Sequence, residues 1–171
     1  MKDPNFYMLA KTMHGLEEVL ANELKDLGAQ NVKIQKRAVS FKGDNGFMYK
    51  ANLNLRTCLR ILKPIKTFQA KDEKELYENI LKMNWSRYLD VNKTFATHAT
   101  TTSEVFSHSK YASLLVKDGI ADFFRNKYGK RPNVNPKDPD ISINLHVNKH
   151  TCTVSLDSSG ESQNYQEIQY K

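Results

Sequence analysis

Little cysteine and little glycine limit what this chain can do. Only two cysteines occur among 171 residues, Cys58 and Cys152, and neither belongs to a short-spaced pair of the kind that holds zinc or does redox chemistry. Each lies in an apolar, strand-like run, so both read as small buried side chains rather than reactive thiols. Glycine occurs 7 times, never in a GxGxxG, GxxxxGKS or GxxxxGKT arrangement, which argues against a nucleotide cofactor in this chain. No stretch approaches the roughly 20 apolar residues that a membrane span needs, so no membrane partner is expected. The opening Met1 to Ala10 lacks the basic segment and apolar run of a secretory signal, and the expected address is the cytoplasm.

Catalytic and metal-binding constellations are also scarce. The histidines are His14, His98, His108, His146 and His150, and no acidic partner completes an HExxH-type site. His146 and His150 are four apart, but they flank a hairpin turn instead of sharing a helix, and they read as surface polar residues on a sheet. Phe106-Ser107-His108-Ser109 sets a hydroxyl beside an imidazole, yet nucleophilic catalysis needs three groups converging in space and an oxyanion site. Ser109 reads instead as a helix N-cap. No catalytic residue and no metal ligand is assigned.

What the chain has is positive charge and a distributed apolar pattern. Hydrophobic residues make up 39% and charged residues 26%, spread along the length, as in a folded chain. Lys and Arg number 26 against 19 Asp and Glu, a net charge of +7, which favours a polyanionic partner through counterion release and long-range attraction.

Periodicity sets the order of elements. Phe6 to Ala10 reads as a strand. After Gly15, Leu16, Val19, Leu20, Leu24 and Leu27 recur at helical steps up to Gly28. Val32 to Ile34 and Ala38 to Phe41 form a hairpin around Gln35-Lys36-Arg37. Phe47 to Leu55 reads as a helix with Phe47 and Leu53 as core candidates, and Thr57 to Leu62 as a strand closing the unit at Pro64. The order βαββαβ is that of a ferredoxin-like domain, with two helices on one face of a four-stranded sheet.

Beyond Pro64 and the polar stretch from Gln69 to Glu73 the pattern changes. Leu76, Tyr77, Ile80 and Leu81 fit a helix with acids at its start. Trp85 and Tyr88 follow in a short helix, and Thr94 to Thr102 is a β-branched strand. A long helix carries Ala112, Leu115, Val116, Ile120, Phe123 and Phe124 on one side and stops at Gly129. Pro132 to Pro139 is a loop. Ile141 to Val147 and Cys152 to Leu156 alternate apolar and polar residues around Asn148-Lys149-His150, an antiparallel hairpin. The second region therefore reads ααβαββ, and the polar tail from Ser162 to Lys171 is expected to be partly disordered.

The cations cluster. From His108 to Lys137 there are Lys110, Lys117, Arg125, Lys127, Lys130, Arg131 and Lys137 against only Asp118 and Asp122. Lys110 and Lys117, two helical turns apart, share a face away from the apolar side. Arg125 and Lys127 flank the helix end, where they oppose the helix dipole, but Lys130 and Arg131 continue the cluster where that role no longer applies, which points to phosphate contact. Arg56, Arg60, Lys63 and Lys66 form a second, weaker group, since cations at strand edges also discourage aggregation. Among Trp85, Tyr88, Phe106 and Tyr111, aromatics that could stack on bases, Tyr111 is the one expected at the surface.

These segments resemble a known arrangement. Phe106-Ser-His-Ser-Lys-Tyr-Ala, Leu115-Val-Lys-Asp-Gly-Ile-Ala-Asp, Gly129-Lys-Arg-Pro and Leu156-Asp-Ser-Ser-Gly look like the THUMP region of 23S rRNA guanine-N2 methyltransferases. The stretch from Phe6 to Leu27, with Gly-Leu-Glu opening the first helix, resembles the ferredoxin-like domain that precedes it in that family. The resemblance implies an α+β chain with a ferredoxin-like domain at 1–65, a THUMP domain at 66–162 and a polar tail at 163–171. It implies that the two domains bind structured RNA, 23S rRNA first and tRNA as the alternative, for a C-terminal methyltransferase domain that uses S-adenosylmethionine. Nothing here reads as that family's Asn-Pro-Pro-Tyr-like motif or methyl-donor loop, so the chain itself is expected to hold no cofactor and to be inactive. The tail from Gln163 departs from the family's basic linker. A protein-interaction scaffold that docks partners by strand addition is the reading from another class.

Overall fold

The computed structural model describes residues 3–102, 106 and 108–158. Ser107, the Ser159-Gly160 end of the Leu156 motif and the 163–171 tail lie outside the described residues. The chain divides into two compact units, one of residues up to Pro64 with Asp157 and Ser158, the other Ile65–Leu156.

The first unit runs β1 (Phe6–Thr12), α1 (Glu17–Leu27), β2 (Gln30–Gln35), β3 (Ala38–Gly43), α2 (Asn45–Asn54) and β4, whose span Cys58–Gln69 ends in the second unit. This is the expected βαββαβ order, and the strands lie β2-β3-β1-β4 with neighbours antiparallel. Local chemistry explains the helix ends. Glu17 and Glu18 complement the dipole at the start of α1, and Gly28 ends it in the left-handed conformation at φ 102°. The Asp44 carboxylate caps α2 by accepting from the Phe47 N–H at 2.7 Å. Met8, Ala10, Leu20, Leu24, Val39, Phe41, Ala51 and Ile61 form the core under both helices.

Three expectations change here. Val19 and Leu53 are exposed, at 47% and 54%, because the buried stripes are Leu20, Ala21 and Leu24 on α1 and Met48 and Ala51 on α2. Val19 and Leu53 fall outside those stripes on the turn of the helix. The last strand does not close at Pro64 but continues to Gln69, with Pro64 itself exposed. A proline lacks only the N–H donor, and a strand tolerates it where that donor is not needed by a neighbour.

The second unit continues with α3 (Glu73–Lys82), a single 3₁₀ turn (Trp85–Arg87), β5 (Thr94–Thr101), α4 (Ser109–Tyr128), β6 (Asn133–Val134), β7 (Ile141–Asn148) and β8 (Thr151–Asp157). The ααβαββ reading holds with one addition, the two-residue β6 inside the proline loop. Strand order is β8-β7-β5-β6, with β7 antiparallel to β8 and β5 parallel to both β7 and β6. Asp72 caps α3, accepting from the Glu75 N–H at 2.9 Å, while the Glu75 carboxylate reaches back to the Lys71 N–H at 2.8 Å. Trp85, fully buried, donates its indole N–H to the Ile80 carbonyl at 2.8 Å, so its polar atom is satisfied inside the core. Around it pack Leu76, Phe95, Val116, Ile120, Phe124, Ile143 and Leu145. At Gly119 an added Cβ would lie 2.6 Å from the Ile80 Cγ2, so glycine is what lets α4 approach α3 this closely.

Candidate nucleic-acid interface

The candidate site is built on α4 and the loop after it. Val116, Gly119, Ile120 and Phe124 hold the helix against its unit, and on the sheet side the Thr97 hydroxyl donates to the Ser113 carbonyl at 3.0 Å. Ser109 is not the N-cap. His108 occupies that position in extended backbone with no side-chain bond to the helix, and Ser109 is the first helical residue. The adjacent Ala112 N–H bonds the His108 carbonyl at 3.1 Å, which places the start of the helix one residue earlier than the hydroxyl suggested.

Along one flank of the helix Lys110, Leu114, Lys117, Arg125 and Tyr128 follow in a row about 27 Å long at 1.5 Å per residue, interrupted by the buried Ala121. Lys110 and Arg125 are exposed, Lys117 is half-buried, and Tyr111, beside the start of the row, is 46% exposed. Gly129 closes the helix in the left-handed conformation at φ 69°, its N–H bonding the Arg125 carbonyl at 2.9 Å. Lys130 and Arg131 come next, both exposed. They are held at their far end: Pro132 is buried, Asn133 and Val134 pair with Thr94 and Phe95, and the Asn135 N–H bonds the Phe95 carbonyl at 3.0 Å. Two cations are thus presented on backbone fixed on both sides.

The charges are unevenly satisfied. Lys117 lies 3.1 Å from Asp118, and Arg125 lies 3.4 Å from Asp122, which also accepts the Tyr77 hydroxyl. Exposed pairs of this kind contribute at most about 1 kcal/mol each and exchange readily for a phosphate. Lys110, Lys130 and Arg131 make no ion pair among the described residues. Lys127 stands about 200° around the helix from Arg125 and turns toward the 3₁₀ turn. Its ammonium is 3.3 Å from the Ser86 hydroxyl and lies over the Phe123 and Tyr128 rings. The same Ser86 hydroxyl is 2.9 Å from the Tyr128 hydroxyl, and Ser86 and Lys127 hold the Tyr128 phenol below its usual range. Of the seven candidates, Lys110, Lys117 and Arg125 share the row, Tyr111 flanks it, Lys130 and Arg131 extend its end, and Lys127 sits on the other side. Tyr128, 49% exposed on the row, is an added member; it lies eleven residues, about three helical turns, beyond Lys117, and that spacing would have found it.

The other candidates resolve as structural. Trp85 and Phe106 are buried, so neither offers a ring to a base. His146 shares a hydrogen bond with Thr100 at 2.9 Å, and among the described residues no cluster of three metal-ligating side chains occurs. Burial pushes the thiol of Cys58 up to about 12 and that of Cys152 up to about 11, so neither is a thiolate near neutrality. Among the described residues no helix is long and apolar enough to cross a membrane.

Comparison with known proteins matches this geometry to a family. The THUMP domain model matches residues 70–157, and the RlmL ferredoxin-like domain model matches 7–62. A Synechocystis sp. protein named as an RNA methyltransferase, slr0064, is 37% identical over 151 residues, covering 88% of this chain and 39% of that protein. Among solved structures, a possible methylase from Clostridium difficile 630 is 26% identical with a TM-score of 0.74, covering 90% of this chain and 41% of the other. A 4-thiouridine synthetase, solved as an RNA complex with bound ATP, shares the fold at 13% identity and a TM-score of 0.55, over 88% of this chain and 40% of that one. The chain spans about two fifths of the length of the relatives that it matches.

Proposed function

Because this chain belongs to the THUMP domain family, with a ferredoxin-like domain ahead of it, we propose that it is the RNA-binding module of an RNA methyltransferase. In this reading it grips the backbone of a structured RNA and delivers a base to a catalytic domain, which carries S-adenosylmethionine and the chemistry. The cytoplasm is the compartment this reading calls for. Phosphates meet Lys110, Lys117, Arg125, Lys130 and Arg131, Lys127 lies at the margin, and Tyr111 stacks on an unpaired base. Such contacts fix position and register, and carry little sequence information of their own. The observation that carries the reading is Lys130 and Arg131, two cations without an ion pair among the described residues, held on fixed backbone at the end of a cationic helix row. Ordered donors lose little conformational entropy when a phosphate arrives, since most of that loss was incurred in folding.

The substrate class we favour is 23S rRNA and the modification guanine-N2 methylation, supported by the likeness of the Phe106, Leu115 and Gly129 segments to that enzyme family. tRNA is the second reading, supported only by the shared fold of the RNA-bound 4-thiouridine synthetase. Competition of a 23S rRNA hairpin pool against tRNA for the purified chain separates them. Preference for the hairpins is expected, and preference for tRNA would reverse the assignment. Strand-addition docking of a protein partner would instead show as binding insensitive to salt, with no RNA bound.

A further inference from the structure

The first unit has a second basic surface, on the sheet face opposite its helices. On β1, Met8, Ala10 and Thr12 are buried toward the helices, so Tyr7, Leu9 and Lys11 occupy the other face. Register carries that face across the sheet. Gln35 pairs with Ala38, Ala38 with Lys11 and Lys11 with Arg60; one row further on, Lys33 pairs with Ser40, and next to that Lys42 pairs with Tyr7. Lys11 and Arg60, directly opposite on antiparallel strands, bring like charges within one cross-strand spacing, an arrangement that destabilises a sheet. Arg37 joins them from the β2–β3 turn: its carbonyl accepts the Thr12 N–H at 2.9 Å, next to Lys11, and its backbone is left-handed at φ 55°.

Among the described residues, the acids nearby leave this group under-neutralised. Asp157 lies 3.7 Å from the Arg60 guanidinium. The Glu17 carboxylate is committed to backbone, accepting the Arg37 N–H at 3.1 Å and the Gly15 N–H at 2.8 Å. Lys42 is paired with Asp3 at 2.6 Å, while Lys11 makes no ion pair among the described residues. Burial, then Arg60 and Arg37, hold the Lys11 ammonium below its usual range.

We propose that Lys11 and Arg60, on the sheet face opposite the helices of the ferredoxin-like unit, form a phosphate-binding site with Arg37 of the adjoining turn, occupied by one backbone phosphate of the bound RNA. Two cations opposite each other on one face, with a third on the adjoining turn, cost the free fold stability, and a bound phosphate supplies negative charge that the cluster lacks among the described residues. The occupant rests on the RNA-binding reading above; the anion site does not.

The test uses the full 171-residue chain with Lys11→Met, which keeps an apolar stem, and Arg37→Asn, which suits the left-handed backbone. Two measurements are made on each: thermal unfolding in inorganic phosphate against chloride at matched ionic strength, and the salt dependence of affinity for a structured RNA. In chloride both variants are expected to melt about 1 to 5 °C above the parent, because like-charge crowding is relieved. Phosphate should raise the melting point of the parent and not of the variants. The log–log salt slope for RNA should fall by about 0.7 to 0.9, one phosphate contact. Stabilisation by phosphate with no RNA binding at all would keep the anion site and overturn its RNA occupant. Variants that melt lower in chloride, or that respond to phosphate as the parent does, would overturn the site.

Discussion

The two basic surfaces handle their charge in opposite ways. On α4 the cations are strung along a helix at steps that keep them apart, two of the five are paired with Asp118 and Asp122, and the last two stand on pinned backbone beyond the helix end. On the sheet of the first unit Lys11 and Arg60 face each other across one strand spacing, with Arg37 on the adjoining turn. A helix row can hold charge cheaply because its cations are spaced by whole turns, whereas cations directly opposite on neighbouring strands lie within one cross-strand spacing and lose part of their hydration. The first surface tracks a backbone over several phosphates; the second is poised for a single anion. The contrast predicts that removing charge stabilises the fold on the sheet face and leaves stability unchanged beyond α4.

The largest effect comes from disturbing the platform under the helix row. Gly119→Leu would drive a side chain into Ile80, and overpacking at such a contact costs about 1 to 3 kcal/mol. The melting point should drop, and RNA affinity should fall with it because α4 can no longer sit where it does. The next largest is Lys130→Ala with Arg131→Ala, which removes two phosphate contacts and lowers the log–log salt slope by about 1.4 to 1.8 while leaving the melting point unchanged. That stability-neutral loss is the signature separating this surface from the sheet face, where loss of charge is expected to stabilise.

Smaller effects sharpen the comparison further. Asp122→Asn frees Arg125 from its acid 3.4 Å away and should steepen the salt slope, and it weakens the bond that Tyr77 makes, so a slight loss of stability accompanies the gain. Tyr77 itself supplies a pH test. Its hydrogen bond to the Asp122 carboxylate, then burial, raise its pKa from 10.0 to about 12, which means that the folded state favours the protonated phenol. The stabilisation is therefore complete below pH 10 and is lost as the pH rises through about 12. Urea midpoints measured between pH 9 and pH 12 should fall more steeply for the parent than for Tyr77→Phe, and parallel curves would remove Tyr77 from the account.

How much of this was legible in the chain follows from which interactions are local. The βαββαβ order, the Gly28 and Gly129 stops and the Ile141–Asn148 and Thr151–Asp157 hairpin rest on neighbours within a few residues, and these appear as expected. Lys110 and Lys117 could be placed on one face because helical spacing is fixed by geometry. What could not be read is set by tertiary partners. Ser109 has a capping side chain, but the chain path puts His108 in the cap position. Val19 and Leu53 are apolar, but the face that each helix turns to the core buries Ala21 and Ala51 instead. Arg125 and Lys127 are near neighbours in sequence and face different ways. Lys11, Arg37 and Arg60 are far apart in sequence, and only the strand register joins them.

The central claim is that this chain holds RNA by its phosphates through α4 and the Gly129–Arg131 turn. Its most direct test is the affinity of the purified chain for a structured RNA, titrated across salt concentrations. The account predicts a log–log slope of several units, each phosphate contributing about 0.7 to 0.9, and a smaller slope once Lys130 and Arg131 are alanine. No binding at low salt, or binding with a slope that ignores those two residues, would contradict it.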